Sequence, residues 1–132
     1  MTDVEALALT IWGEARGEPI EGLIGVAMVM RNRLATHYRG AKTYVDVCTA
    51  HAQFSAWTEE ATQMQSEMAE FPHPDPVLRL CIQVAQATMA GTLADNTHAA
   101  NHYYADTTPT PSWAKGGTIL AHLGHHLFLN VA

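Results

Sequence analysis

Apolar residues in the N-terminal segment recur at intervals of three and four, which is the spacing of one face of an α-helix. They are Val4, Leu7, Ala8, Ile11, Trp12 and Ala15. Thr2 followed by Glu5 has the pattern of a capping box, so the helix is predicted to begin directly after Thr2. Gly17 and Pro19 predict its end, because glycine favours the C-terminal cap and proline cannot continue the helical hydrogen bonds.

A second helix is predicted from Pro19 or Ile20 to about Leu34. This segment is apolar nearly all round, which is typical of a buried core helix. Gly22 and Gly25 lower its helix propensity. Their lack of a side chain predicts that another backbone approaches the helix closely there.

The remaining pattern predicts five further segments. Residues 36–57 are expected to form a loop with short extended pieces, and residues 58–71 a surface helix. Residues 75–91 should form a third long helix, residues 95–117 a hairpin or ordered loop, and residues 118–129 a final helix. The predicted fold class is therefore α+β, predominantly α, with a small extended or hairpin region.

The third long helix carries clear end signals. Asp75 is the expected N-cap, Pro76 the first helical residue and Gly91 the C-terminal stop. Its inward face is predicted to consist of Val77, Cys81, Val84, Ala85 and Thr88.

Composition narrows the function classes. The chain has 132 residues and 48% hydrophobic residues, which predicts one domain over residues 1–132. The formal net charge of −6 argues against nucleic-acid binding and against electrostatic adhesion to membranes or wall polymers. Cys48 and Cys81 lack metal-binding spacing and are expected to be buried thiols. We expect a monomer.

No targeting segment is visible in the sequence. Asp3 and Glu5 stand where a signal peptide would carry positive charge. The most apolar run, LIGVAMVM, is far shorter than the roughly 20 residues that span a bilayer. We therefore expect a cytoplasmic chain without stable membrane association, which reaches any extracellular target only with outside help.

Glu14 is the first candidate for chemistry. It lies beside the apolar stripe of the first helix and in the last turn, where the helix dipole is negative. Both the dipole and partial burial favour the protonated carboxylic acid, which a general acid requires. Helix position alone leaves open the alternative that Glu14 is a half-exposed residue paired with Arg16 or Arg31.

The stretch LTIWGEARGEPIEGLIGVAMVMRNRL resembles the signature of the cell-wall hydrolase family typified by the spore-cortex-lytic enzyme SleB. That signature is an apolar helix, E-A-R-G-E-P, and a glycine-containing apolar helix ending in N-R. Weaker blocks follow in the expected order over nearly the whole chain, namely VC, QFSAW, DNTHAANHYYA, PSWA and HLGHHLF. His98 and Ala99 replace a glycine pair that family members often carry.

The resemblance implies a lysozyme-like fold and cleavage of peptidoglycan glycan strands between N-acetylmuramic acid and N-acetylglucosamine. It implies a lytic transglycosylase with Glu14 as the catalytic acid and no cofactor. The alternatives are a hydrolytic muramidase, which needs a second carboxylate, and a non-catalytic wall-binding module. Glu18 is the first candidate for that second carboxylate or for a substrate-binding role, although it could equally cap the backbone near Gly17. Asp95 and Asp106 are expected to cap turns.

Sugar binding requires flat apolar faces together with hydrogen-bonding groups. One stretch that offers both contains Gln53, Phe54, Ser55 and Trp57. A second contains His102, Tyr103, Tyr104 and Trp113. Alternation along a strand allows only one of the two adjacent tyrosines to face a groove, and Tyr103 is the predicted one.

Histidine spacing suggests one rival chemistry. His98 and His102 are four residues apart, and three further histidines follow at His122, His125 and His126. Such spacing on a helix can bind zinc, but this segment has poor helical periodicity and no HExxH motif. We therefore predict no metal site. A chain without visible export or wall-binding elements suits a phage-type endolysin, with a wall-remodelling enzyme as the alternative.

Overall fold

The computed structural model describes residues 1–50 and 75–131. These residues form helices α1 (Asp3–Ala15), α2 (Ile20–Ala35), α3 (Tyr44–Thr49) and α4 (Pro76–Ala90), and strands β1 (His102–Ala105), β2 (Ile119–Leu123) and β3 (His126–Leu129). Two short 3-10 helices lie at Tyr38–Gly40 and Ser112–Ala114. The predicted surface helix over residues 58–71 lies outside the described residues. No described helix is long and apolar enough to cross a membrane.

The ends of α1 follow the local sequence signals. The Glu5 amide donates to the Thr2 hydroxyl at 3.2 Å, and the Thr2 amide donates to the Glu5 carboxylate at 2.8 Å. This reciprocal pair is the predicted capping box. At the other end Arg16 is the C-cap, and Pro19 is already the N-cap of α2. Glu14 is therefore held in the final turn of a helix that ends abruptly.

The core is built around α1, which packs against α2, α3 and α4. Its residues Ala6 to Leu9 are completely buried, so α1 is enclosed on more sides than a single apolar stripe predicts. A close approach is present at Gly25, but the prediction that another backbone makes it is wrong, because the neighbour is an aromatic side chain. A Cβ atom at Gly25 would lie 2.6 Å from Cζ of Phe128, which belongs to β3. Because Gly25 has no side chain, the sheet packs directly on α2 at this point.

The end signals of α4 are also confirmed. The Asp75 carboxylate accepts hydrogen bonds from the amides of Val77 and Leu78, and Gly91 has a φ of 73° at the C-cap. The predicted inward face is wrong at one position. Leu78 is completely buried, whereas Val77 is only partly buried.

The C-terminal prediction of a helix over residues 118–129 is wrong, because this segment forms the β2–β3 hairpin. Gly124 adopts a φ of 59° between the two strands, a left-handed conformation that interrupts a helix and suits a turn. The sheet is antiparallel with strand order β1-β3-β2. Strand β3 is thus central, and its pairing with β1 supplies long-range hydrogen bonds that local apolar spacing does not reveal.

Two other segments differ from their predictions. Residues 36–50 contain α3, which Thr43 caps by accepting a hydrogen bond from the Asp46 amide, where a loop with extended pieces was expected. Residues 95–117 contain the ordered loop and one strand, but that strand pairs with distant β3 and not within its own segment. Cys48 and Cys81 are buried and form no disulfide, as expected. Burial raises the pKa of each thiol to about 12.

Candidate active site

Glu14 is half-buried and faces a cleft of about 390 Å³. The turn between α1 and α2 forms one wall of this cleft, and residues after β1 and in the β2–β3 turn form the other. The lining residues are Gly13, Glu14, Ala15, Arg16, Gly17, Glu18, Ala105, Thr107, His125 and His126.

The two arginines suggested by the sequence as partners of Glu14 both have other contacts. The guanidinium of Arg16 lies 4.2 Å from the ring centroid of Trp12. That of Arg31 donates to the carbonyl of Leu93 at 3.0 Å.

Tyr103 directs its hydroxyl group toward the Glu14 carboxyl group from β1. The hydroxyl oxygen is buried, and its geometry falls short of a hydrogen bond with any described residue. Burial raises the pKa of Tyr103 well above 10.0, and the nearby Glu14 carboxylate raises it further. Tyr103 is therefore a neutral phenol next to Glu14. Its buried hydroxyl group is able to donate a hydrogen bond.

His126 is a second side chain with a buried polar atom that lacks a hydrogen-bond partner among the described residues. The residue is 8% exposed, and its Nδ1 has no hydrogen-bond partner among the described residues. Its ring packs edge-on against Tyr103 with centroids 5.4 Å apart. Burial lowers the pKa of His126 despite the opposing charge of Glu18, so the ring is neutral near pH 7. Nδ1 of His126 lies 3.6 Å from Oε1 of Glu18, whereas the Tyr103 hydroxyl lies near Glu14. Buried polar atoms without a hydrogen-bond partner are uncommon, and here one lies near each carboxylate of the cleft.

Glu18 is engaged by the β2–β3 turn. Its carboxylate accepts hydrogen bonds from the His125 amide at 2.7 Å and from the His125 ring at 2.9 Å, and its side chain is only 9% exposed. Burial alone would raise the pKa of Glu18, but the hydrogen bonds from His125 outweigh burial and lower it. The same contact raises the pKa of His125. Glu18 therefore ties the α1–α2 turn to the hairpin.

The other two candidate carboxylates also have partners. Asp95 accepts hydrogen bonds from the Thr97 amide and hydroxyl, the Ala99 amide and the Asn32 side chain. This is the turn-capping role predicted for it. Asp106 accepts from the His122 ring at 2.9 Å.

The predicted sugar-binding residues separate onto two faces of the sheet. Tyr103 pairs with Phe128 and shares the Glu14 face. His102 and Tyr104 point to the opposite face, where they contact Trp113. His102 and Trp113 therefore lie away from the cleft. Gln53, Phe54, Ser55 and Trp57 lie outside the described residues.

The helical histidine pair considered for zinc is not formed. His98 is exposed in a left-handed turn with a φ of 56°, and His102 begins β1. Within residues 1–50 and 75–131 no group of three or more histidine, cysteine, aspartate or glutamate side chains could hold a metal ion.

His125 and His126 were not predicted as sugar-binding or catalytic residues, because the apolar spacing around them predicted a terminal helix. Their visible signal was the glycine immediately before them. A hairpin turn at Gly124 carries the following residues toward the α1–α2 turn, whereas a helix would have spread them around its surface.

Fold and cleft together define a small helical enzyme domain with a carboxylic acid at the end of a buried helix. The chain belongs to the cell wall hydrolase family, whose sequence profile matches residues 17–129. Glu14 lies three residues before the matched range, so the match does not cover it.

Two curated relatives are both spore cortex-lytic enzymes. The one from Bacillus subtilis (strain 168) is 29% identical over 126 residues, covering 96% of this chain and 37% of the relative. The one from Halalkalibacterium halodurans is 28% identical over 132 residues, covering 97% and 34%. The chain thus spans little more than a third of the length of these relatives.

Two solved structures share the fold. The catalytic domain of the germination-specific lytic transglycosylase SleB from Bacillus anthracis is 25% identical with a TM-score of 0.71, and 97% of this chain and 93% of that chain are covered. The Bacillus cereus SleB catalytic domain gives 24% identity, a TM-score of 0.71, and coverage of 97% and 89%. The predicted fold class, α+β and predominantly α with a small extended region, is confirmed, and the extended region is a small antiparallel sheet.

Proposed function

We propose that this domain cleaves the peptidoglycan glycan strand between N-acetylmuramic acid and N-acetylglucosamine as a lytic transglycosylase, with Glu14 as the general acid. The observation that carries the proposal is the position of Glu14, half-buried in a cleft beside two neutral polar side chains. Membership of the cell wall hydrolase family and the likeness to a lytic transglycosylase domain support the same substrate class.

The environment of Glu14 favours its protonated form. Glu14 lies in the last turn of α1, where backbone carbonyls create a negative potential that disfavours a second negative charge. Partial burial acts in the same direction. Tyr103 and His126 are both neutral near pH 7, so neither adds a positive charge to the surroundings of Glu14. A protonated acid can then donate to the glycosidic oxygen.

The hydrogen bonds from His125 to Glu18 favour a mechanism with a single catalytic acid over a mechanism with two catalytic carboxylates. A hydrolytic muramidase needs a second carboxylate to activate water or to attack the sugar. Glu18 is the other described carboxylate in the cleft, and its oxygens accept hydrogen bonds from His125. A transglycosylase needs no second carboxylate, because the 6-hydroxyl of the muramic sugar is the nucleophile.

The reaction then requires one group in two protonation states. Glu14 transfers its proton to the glycosidic oxygen as the bond to the muramic C1 breaks, and N-acetylglucosamine leaves with a free 4-hydroxyl. The resulting Glu14 carboxylate accepts the proton of the 6-hydroxyl as that oxygen bonds to C1. The product is a 1,6-anhydro-muramic end, and Glu14 recovers its proton.

A matched pair of variants tests the role of Glu14. Glu14→Gln removes the acid with little change in shape, and Glu21→Gln makes the same change at an exposed carboxylate of α2. On chloroform-permeabilised bacteria we expect wild type and Glu21→Gln to clear turbidity, and Glu14→Gln to be slower by at least about a hundredfold. Equal clearing by Glu14→Gln excludes it as the acid, and a wall-binding module without catalysis predicts no clearing by any of the three.

Product analysis separates the two enzyme mechanisms. Mass spectrometry of digested sacculi is expected to reveal 1,6-anhydro ends, which are lighter than the hydrolytic product by one water. Ordinary reducing ends would instead assign the reaction to a hydrolytic muramidase. In that case Glu18→Gln, which keeps the size of the side chain, should abolish activity as fully as Glu14→Gln.

For biological role we propose a phage-type endolysin, held in the cytoplasm until a holin opens the membrane. The proposal rests on membership of the cell wall hydrolase family, whose substrate class is the one that an endolysin must cleave. Expression in bacteria should cause lysis only when a holin is co-expressed. Lysis without holin would favour a wall-remodelling enzyme released by another route.

A further inference from the structure

We propose that the face of the sheet opposite Glu14 is a second, non-catalytic binding site for the peptidoglycan glycan strand. It consists of Tyr38, His102, Tyr104 and Trp113, here called the aromatic platform. This inference rests on the proposed function for its choice of ligand. The ligand class is an amino-sugar polymer that carries carboxylate groups.

The platform is a continuous set of rings. The rings of Tyr38 and His102 meet edge-on with centroids 5.8 Å apart, and those of His102 and Trp113 are tilted at 5.0 Å. Tyr104 meets Trp113 edge-on at 5.9 Å. Trp113 is 44% exposed, which is unusual for a tryptophan in a folded domain. An exposed ring held by neighbouring rings offers a flat apolar surface on which a sugar can stack.

Strand pairing places this platform away from the cleft. His102 pairs with Leu129 across the sheet, and side chains of paired residues lie on the same face. The next pair along, Tyr103 with Phe128, points to the opposite face, toward α2 and Glu14. Alternation within β1 therefore divides its side chains between two surfaces. A ligand on Trp113 is not in the Glu14 cleft.

The loop that presents Trp113 is anchored to the sheet. Trp113 lies in the short 3-10 helix Ser112–Ala114, and the next residue of that helix, Ala114, is buried. A Cβ atom at Gly117 would lie 3.0 Å from Cδ1 of Leu129, so this segment packs directly on the platform face. The tryptophan is therefore exposed on a fixed support, which limits the entropy lost when a ligand binds.

The local positive charge at one end of the platform, and not the net charge of the chain, favours an acidic sugar polymer as the occupant. The exposed guanidinium of Arg39 lies 5.2 Å from the Tyr38 ring, and the buried guanidinium of Arg33 lies 5.0 Å from the same ring. Within the described residues Arg39 forms no ion pair. Arg39 therefore places an exposed positive charge at one end of the platform, on a chain whose net charge is −6. Free carboxylates on the stem peptides of the glycan strand complement Arg39.

His102 completes the platform as a neutral ring. Its Nδ1 lies 2.7 Å from Oδ1 of Asn101, and its Nε2 lies 3.4 Å from the Tyr38 hydroxyl. Burial lowers the pKa of His102 to about 4, and the charges of Arg33 and Arg39 act in the same direction. Above that pH both ring nitrogens have partners and the ring has no charge, so it supports Trp113 without repelling Arg39.

Two sites on opposite faces would keep the domain on an insoluble wall. Binding through the platform holds the cleft at a high local concentration of glycan strands, which raises apparent affinity without any new contact in the cleft. Loss of the platform should then weaken retention on whole sacculi. Cleavage of short soluble fragments, which cannot reach both faces, should be unaffected.

The test uses pelleting with purified sacculi in a Glu14→Gln background, so that the polymer stays intact. Trp113→Ala is compared with Met89→Ala, which removes another exposed apolar side chain, 40% exposed, from α4. We expect Trp113→Ala to weaken binding about three- to tenfold, and Met89→Ala to leave it unchanged. Arg39→Gln should weaken binding to sacculi at low salt but not to chitin, which lacks carboxylates.

Several results would overturn the proposal. One is equal pelleting of Trp113→Ala and its background, and another is no pelleting of the background at all. A third is a change of elution volume with Trp113→Ala, which would make the platform an interface between copies. If Trp113→Ala fails to fold, the Arg39→Gln variant tests the proposal instead. Equal binding of this variant and its background to sacculi at low salt would then overturn it. Absence of cleavage by wild type would refute the proposed function. The pelleting result would still test the platform, because it is measured in the Glu14→Gln background and does not depend on cleavage.

Discussion

The contact between Gly25 and Phe128 can be tested by adding a single methyl group. Gly25→Ala places a Cβ atom 2.6 Å from Cζ of Phe128 and 3.1 Å from Cδ1 of Leu123. Carbon atoms in contact prefer roughly 3.5–4.0 Å, so the ring must move by about 1 Å. Phe128 is completely buried and lies on the central strand, which leaves little space for that movement.

Two opposing effects set the magnitude. Alanine is favoured over glycine inside a helix by about 1 kcal/mol. Overpacking a filled core costs about 1–3 kcal/mol, and the rigid ring of Phe128 places this site in the upper part of that range. We therefore expect Gly25→Ala to lower the free energy of unfolding by about 1–2 kcal/mol, which corresponds to a fall in Tm of about 3–8 °C for a domain of this size.

Urea and thermal unfolding followed by circular dichroism measure this difference, with Gly17→Ala as the control. A Cβ atom at Gly17 has no heavy atom within 4 Å, so that variant should stay within about 0.5 kcal/mol of wild type. Shortening the ring in Gly25→Ala/Phe128→Leu should lose less stability than the sum of the two single changes. The packing argument is refuted if Gly25→Ala unfolds at the wild-type midpoint, or if both alanine variants lose the same stability.

Two further predictions concern the turn regions. Ala99 has a φ of 66°, a left-handed conformation that costs a non-glycine residue about 1–2 kcal/mol. Ala99→Gly should therefore raise the free energy of unfolding by about 0.5–1 kcal/mol after the greater entropy of unfolded glycine is subtracted, measured by urea titration. For the Glu18–His125 contact, the lowered pKa of Glu18 contributes stability above about pH 4.5, which is lost as pH falls through the folded pKa. The raised pKa of His125 contributes stability below about pH 6.5, which is lost as pH rises through the folded pKa. The stabilisation of wild type over Glu18→Gln should thus be largest between about pH 4.5 and 6.5 in thermal melts, and an equal difference from pH 4 to 9 would contradict this contact.

The cap residues illustrate what local sequence determines. Thr2 with Glu5 specifies the start of α1, and Asp75 with Gly91 specifies both ends of α4, because each signal acts through hydrogen bonds or dihedral angles within a few residues. The position of Glu14 at a helix end was predictable for the same reason. Helix position alone left open whether Glu14 is an ordinary half-exposed residue, and the resemblance to the cell-wall hydrolase family favoured the catalytic role.

The C-terminal hairpin illustrates what tertiary structure alone decided. The apolar spacing of residues 118–129 is compatible with a helix, and the segment becomes β2 and β3 because β3 pairs with β1 more than 20 residues earlier. That pairing brings His126 beside Tyr103. Hydrogen bonds between strands distant in sequence leave no short-range pattern, so the cleft around Glu14 and the aromatic platform behind it emerge only when the sheet is assembled.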